Sequence, residues 1–211
     1  MGLFVHSIVA AAGYYALYLA MALIPPRGSD YRTPPYLSRG VSTVNAISLV
    51  FGVILFYTGV ISDDAAAWVL QAAPIGYCVF DTFHMCAVPA LFDRTMIIHH
   101  VAFAYFPAFV FAKTPLAVSL GYLSEITVPF LNVCWHHHHS GAAKGVLYRS
   151  SAVILLITFF CFRVCSFSGL AVWALVFRGY IMAGTAIGGL AALNGYWYCC
   201  LVSKARGTDR N

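Results

Sequence analysis

Charge is what this sequence has least of. Only 9% of its 211 residues are Asp, Glu, Lys or Arg, whereas 61% are hydrophobic and the mean hydropathy is +0.81. A soluble domain is about a quarter charged, so this chain has too little polar surface to coat a globule in water. That excludes a soluble enzyme and leaves a polytopic membrane protein, because a hydrocarbon core of about 30 Å takes about 20 apolar residues per helix. No separate soluble catalytic domain fits in the remaining length, so any chemistry must sit among the spans. Zinc-type paired cysteine spacing is missing too. Cys78, Cys86, Cys134, Cys161, Cys165, Cys199 and Cys200 mostly fall inside apolar runs, where they read as small packing residues and not as a disulfide framework.

The apolar runs, read against their breakers, give an all-α fold of seven transmembrane helices at about 3–24, 41–61, 66–92, 95–112, 115–135, 146–168 and 170–202. Pro25 to Pro35, with paired prolines at each end and charges between, is the one real linker. Met1 to His6 contains no Lys or Arg, so the first run is expected to be a span and not a cleaved signal; His6 at the sixth position gives no support for myristoylation. With a luminal N-terminus, Arg27, Arg32, Arg39, Arg94, Lys144, Arg149, Lys204, Arg206 and Arg210 all fall on the cytosolic side and only Lys113 on the other. That asymmetry obeys the positive-inside rule, puts the C-terminus in the cytosol, and needs an odd number of spans. It also accounts for the net charge of +5 without a nucleic-acid partner.

Once loops are removed, Asp81, His84, His99, His100, Glu125, Arg163 and Arg178 remain inside spans. A charge near the bilayer centre costs at least about 2.5–3.5 kcal/mol, so such groups normally face a protein-lined interior and have partners. His84 follows Asp81 by three residues and shares its helix face. Asp81 and Glu125 are expected roughly 16 Å and about 15 Å from the cytosolic ends of their helices, at one depth. His99 and His100 point about 100° apart, so at most one aims squarely into a pocket while the other bonds a neighbouring helix or the backbone. Pro129, four residues after Glu125, removes a helical donor and should bend the helix at the carboxylate; Pro74, Pro89 and Pro107 are expected to shape their helices in the same way. An ion pair of Asp81 with Arg163 or Arg178 is the purely structural alternative, and His84 reads as a hydrogen-bonded support. His136 to His139 have no acidic or cysteine partner nearby in sequence, so no metal site is expected there. Asn194 and Trp197-Tyr198 suit an interfacial aromatic belt.

Six pieces in order complete the pattern: Arg39-Gly40-Val41-Ser42-Thr43; Gly76-Tyr77 before Asp81; Asp93-Arg94-Thr95-Met96 before His99-His100; Ser124-Glu125 with Pro129-Phe130-Leu131-Asn132; Phe159-Phe160 before Arg163; and Asn194 before Trp197. Together they resemble the TLC-domain family, which includes the ceramide synthases. The resemblance implies a three-part division: 1–38 as an N-terminal helix and linker, 39–202 as the TLC domain, and 203–211 as a basic tail. It further implies that the last six helices form a barrel around a lipid cavity in endoplasmic reticulum or related membranes.

The function implied is handling of long-chain lipids in sphingolipid homeostasis. One form is acyl transfer from acyl-CoA, as co-substrate and with no resident cofactor, to a sphingoid base. On that reading His99, His100, Glu125 and Asp81 are catalytic, and His84, Asn45, Arg163, Arg178, Asn194 and Trp197 support the lipid. The partners implied are membrane lipids, a fatty acyl chain or a sphingoid base, with room for a homodimer. The chain departs from the synthases in two places. Only Glu125 remains of their downstream acidic pair, and Asn45 stands where many relatives have histidine. Those departures point to the alternative, a non-enzymatic lipid-binding or membrane-composition protein using the same cavity.

Overall fold

The computed structural model describes residues 2–23, 33–105, 108, 115–140 and 145–206, and among these there is helix and no strand. The helices are α1 (Leu3–Leu23), α2 (Pro34–Tyr57), α3 (Asp63–Ala67), α4 (Ala73–Ala87), α5 (Arg94–Tyr105), α6 (Pro115–Leu123), α7 (Thr127–His139), α8 (Val146–Thr158), α9 (Ser166–Val172) and α10 (Ile181–Ala205). The segments Trp68–Ala72, Phe159–Cys165 and Trp173–Phe177 are wound more loosely as π-helix, and Pro89–Leu91 and Ser124–Ile126 more tightly as 3₁₀ turns.

Among the described residues, five helical runs are long and apolar enough to cross a membrane: Leu3–Leu23, Pro34–Tyr57, Pro115–His139, Val146–Phe177 and Ile181–Ala205. The surface is inverted relative to a water-soluble protein. Phe83, Ile98, Val101, Val153, Ile157, Val176 and Ile181 are exposed, whereas Asn45, Asp81, His99, His100, Glu125, Arg163 and Asn194 are buried. Apolar outside and polar inside is the build of an integral membrane protein, whose polar groups find partners only in its own interior.

The seven expected spans exceed those five. The third expected span, 66–92, is helical without a break from Asp63 to Ala87, with Trp68–Ala72 wound as π-helix, and Pro89 opens a separate turn instead of bending the helix from within. The fourth has only its first part, Arg94–Tyr105, among the described residues; the bend expected at Pro107 and the charge at Lys113 lie outside them. The second span starts earlier than expected, because Pro34 and Pro35 sit in the first turn of α2, where a missing N–H costs nothing. It ends in a Schellman-type turn: Gly59 takes φ +71°, and Val60 N–H donates to Leu55 O at 2.9 Å.

The break expected near residue 169 is displaced. Gly169 lies inside α9, and the chain turns at Gly179, which takes φ +64°. A lone glycine in an apolar helix does not end it; a left-handed residue does. Arg178 therefore lies in the break and is exposed, stacked over Trp173 and Tyr180, and not inside a span as expected.

Packing divides the chain into two compact units, Met1–Tyr122 and Leu123–Asn211. Within the first, α1 packs against α4. A Cβ on Gly76 would stand 2.7 Å from Ser7 O and 2.8 Å from Ala11 N, so the two backbones touch. Small residues at the crossing permit that approach where lipid offers no hydrophobic drive between helices. Beside the crossing, Pro74 has no N–H to give Leu70 O, and the Tyr122 hydroxyl donates to that carbonyl at 2.7 Å. In the second unit, Ser124–Ile126 winds as a 3₁₀ turn just ahead of α7, where Pro129 has no N–H to give Glu125 O.

Candidate functional site

The first unit's polar centre is positioned from the start of α5. Asp93 Oδ1 accepts from Thr95 N–H at 2.8 Å, Thr95 Oγ1 at 2.6 Å and Met96 N–H at 3.3 Å, which satisfies the free donors of the first turn. Partial burial opposes the carboxylate, but the three donors outweigh it and hold Asp93 below the ordinary carboxylate range. The Asp93-Arg94-Thr95-Met96 motif is thus a helix cap that sets the phase of His99 and His100.

From that cap, His100 reaches back to two successive side chains of α4. Its Nε2 lies 3.5 Å from Asp81 Oδ2, and its Nδ1 lies 3.2 Å from Thr82 Oγ1. Asp81 is held from two further directions: Ser38 Oγ on α2 donates to Oδ1 at 3.2 Å, and Tyr77 Oη on α4 donates to Oδ2 at 3.4 Å. The Tyr77 ring also meets His100 edge-on at 5.9 Å, and Arg39 acts electrostatically on Asp81. One carboxylate and one imidazole, both buried, thereby join three helices. His99 is also buried but turns to the other side, stacked on Phe103 at 5.6 Å, which packs on Tyr122. The adjacent histidines divide the work, as their 100° separation requires.

The other expected members of this site go elsewhere within the unit. His84 packs between Tyr18 at 4.4 Å and Phe80 at 5.6 Å, an aromatic setting facing α1 and not the Asp81 cluster. Among the described residues its buried Nε2 meets no hydrogen-bond partner. Asn45 is fully buried and accepts from Tyr14 Oη at 2.8 Å, which ties α2 to α1.

The second unit has its own buried polar pair. Arg163 Nη2 donates to Glu125 Oε1 at 2.8 Å, and its Nε donates to Thr127 Oγ1 at 2.8 Å and Ser124 O at 3.3 Å. The π-helical winding of Phe159–Cys165 carries Arg163, and the 3₁₀ turn presents Glu125, so each charge sits on irregular backbone. Arg163 is thus bound to Glu125, and Glu125, expected to orient an imidazole or an amine, has its carboxylate engaged by a guanidinium. Asn194 is buried and donates to Leu190 O of its own helix at 2.8 Å. Trp197 is half-buried, and His138 and His139 are exposed at the end of α7. Among the described residues no group of three or more His, Cys, Asp or Glu side chains is placed to hold a metal ion.

Tyr77 stands in the Gly76-Tyr77 piece of the pattern, but the parts that Tyr77, Thr82, Thr127 and Ser38 play in these centres were not read from the sequence. Tyr77 and Thr82 carry a faint signal, standing one turn before Asp81 and directly after it. Thr127 stands close behind Glu125. Ser38, on another helix, gives no signal at all. Comparison with models of known families, with curated proteins and with solved structures finds no match to this chain.

Proposed function

We propose that this protein is a TLC-type membrane protein that handles long-chain acyl lipids, and that the Asp81–His100 centre is where it does so. The observation that carries the reading is an imidazole buried among apolar helices with a carboxylate on one ring nitrogen and a hydroxyl on the other. A neutral imidazole fixed in this way is equipped to take a proton from an attacking hydroxyl or amine and return it to a leaving group, which is the proton chemistry of acyl transfer. The apolar exterior of α4 and α5, with Val79, Phe83, Ile98 and Val101 exposed, suits substrates dissolved in the bilayer. The reading includes a sphingoid base as acceptor, acyl-CoA as donor, residence in the endoplasmic reticulum and a cytosolic C-terminus.

The second reading, lipid binding without turnover, is favoured by one observation. Glu125, the single acidic group of the downstream motif, is neutralised by Arg163. The two readings separate on purified protein in lipid nanodiscs given labelled long-chain acyl-CoA and a sphingoid base. Acyl transfer that falls with His100→Ala in a folded protein supports the enzyme. Labelled lipid retained without product supports binding. Full product formation by a His99→Ala/His100→Ala variant contradicts the enzymatic assignment.

A further inference from the structure

Thr82 sits mid-helix in α4, yet its hydroxyl is turned away from its own backbone. Thr43, Thr58, Thr158 and Thr185 each donate to the carbonyl four residues back, at 2.9, 2.8, 2.7 and 2.9 Å respectively. That is the ordinary way a hydroxyl is satisfied on an apolar helix. Thr82 Oγ1 instead faces His100 Nδ1 at 3.2 Å. On the far side of the ring, Nε2 faces Asp81 Oδ2 at 3.5 Å, and both carboxylate oxygens accept hydroxyl donors from Ser38 and Tyr77. An ionised carboxylate only accepts, so with the proton on Nε2 toward Asp81, Nδ1 is left to accept from Thr82. Hydroxyl, imidazole and carboxylate then stand in the order of a hydrolase triad, which is recognised by geometry and roles and not by sequence position.

We propose that Thr82 is an acyl-accepting nucleophile, with His100 as its general base, Asp81 as the positioning residue, and a long-chain acyl thioester as the substrate class. The proposal rests on the acyl-lipid reading above and adds to it the atom that takes the acyl group. Thr82 Oγ attacks the thioester carbonyl carbon, a C–O bond forms and the C–S bond breaks. The threonine proton passes to His100 Nδ1 and from there to the leaving sulfur, which departs as a thiol. The acyl group is left as an oxygen ester on Thr82. An amine or water then attacks the ester carbonyl, His100 takes the incoming proton, and that proton returns to Thr82 Oγ as the acyl product leaves. Thr82 is half-buried while His100 and Asp81 are buried, so it is the member of the three with surface left for an incoming carbonyl.

The full chain in nanodiscs is incubated with palmitoyl-CoA, and separately with a long-chain fluorophosphonate, and digested for peptide mass spectrometry. The expected result is a mass increase on Thr82 with each probe, lost in Thr82→Val and restored in Thr82→Ser. Valine matches threonine in volume and branching, and folding is checked by circular dichroism and gel filtration. If Thr82→Val does not fold, the site of the wild-type adduct decides alone. An acyl group carried on the His100 ring, or unchanged acylation of Thr82→Val, overturns the threonine assignment and leaves acyl transfer standing. No adduct of either probe on the wild type overturns it as well, and absence of any acyl turnover in the same sample overturns the acyl-transfer reading beneath it.

Discussion

His100 Nε2 lies 3.5 Å from Asp81 Oδ2, and the same carboxylate accepts from Ser38 and Tyr77 on two different helices. Asp81 therefore stands where it orients the imidazole, and on the proposal above it also favours the proton on Nε2. Asp81→Asn keeps the shape but supplies an amide that also donates, so the tautomer is no longer selected. Acyl transfer should fall by about 10²–10⁴-fold, the usual worth of a positioned acid–base group. The loss should appear in kcat with KM nearly unchanged; a KM effect alone would mean that Asp81 only maintains the shape of the bundle.

The Glu125–Arg163 pair predicts a stability effect with a distinctive sign pattern. Removing either partner leaves a buried charge alone, which costs about 3–5 kcal/mol. Glu125→Gln and Arg163→Met should each lower the unfolding temperature in detergent, and the double variant should recover much of the loss. Additive losses would show that the two side chains act independently.

Gly76 and Gly169 make a matched pair of tests. Alanine at Gly76 would press its methyl against Ser7 O and Ala11 N, backbone atoms that cannot turn aside, and should destabilise the α1–α4 crossing by about 1–3 kcal/mol. Gly169 has nothing within 4 Å of the added carbon, so alanine there should be neutral or stabilise by about 0.5–1 kcal/mol. Thermal unfolding of the two variants side by side checks both signs.

Asp93 gives a pH test. Asp93→Ala should cost about 1 kcal/mol through loss of the cap. Because the native carboxylate titrates below its ordinary range, its contribution is complete above about pH 4 and is lost as pH falls through the lower native value. The stability gap between wild type and variant should be flat from neutral pH down to about pH 4 and close below it. A gap that narrows already at pH 6 would contradict the cap.

Much of the fold was legible because lipid imposes one rule on long segments. The existence of the runs Leu3–Leu23, Pro34–Tyr57, Val146–Phe177 and Ile181–Ala205 follows from apolar length, but the prolines at 34 and 35, read as linker, open the second one. The last boundary was misplaced because sequence shows glycines at 169 and 179 alike, while only the backbone reveals which one turns left-handed. In the site, Asp81, His99, His100, Glu125 and Arg163 stood out because ionisable groups are costly in a bilayer. Their partners did not. Thr82 and Ser38 are ordinary residues in apolar helices, and what distinguishes them is the tertiary neighbour that their hydroxyl meets. Arg163 could be matched by charge to Asp81 or Glu125, and only packing in the second unit selects Glu125.

Whether the Asp81–His100 centre engages a long-chain acyl group, as proposed, is decided by mass spectrometry of the lipid that the purified protein carries. The wild type is expected to retain a long-chain acyl lipid, free or covalent, and His100→Ala and Asp81→Asn variants, folded by circular dichroism, to lose most of it. A wild-type protein stripped of any specific lipid, or variants carrying the same lipid in the same amount, would contradict it.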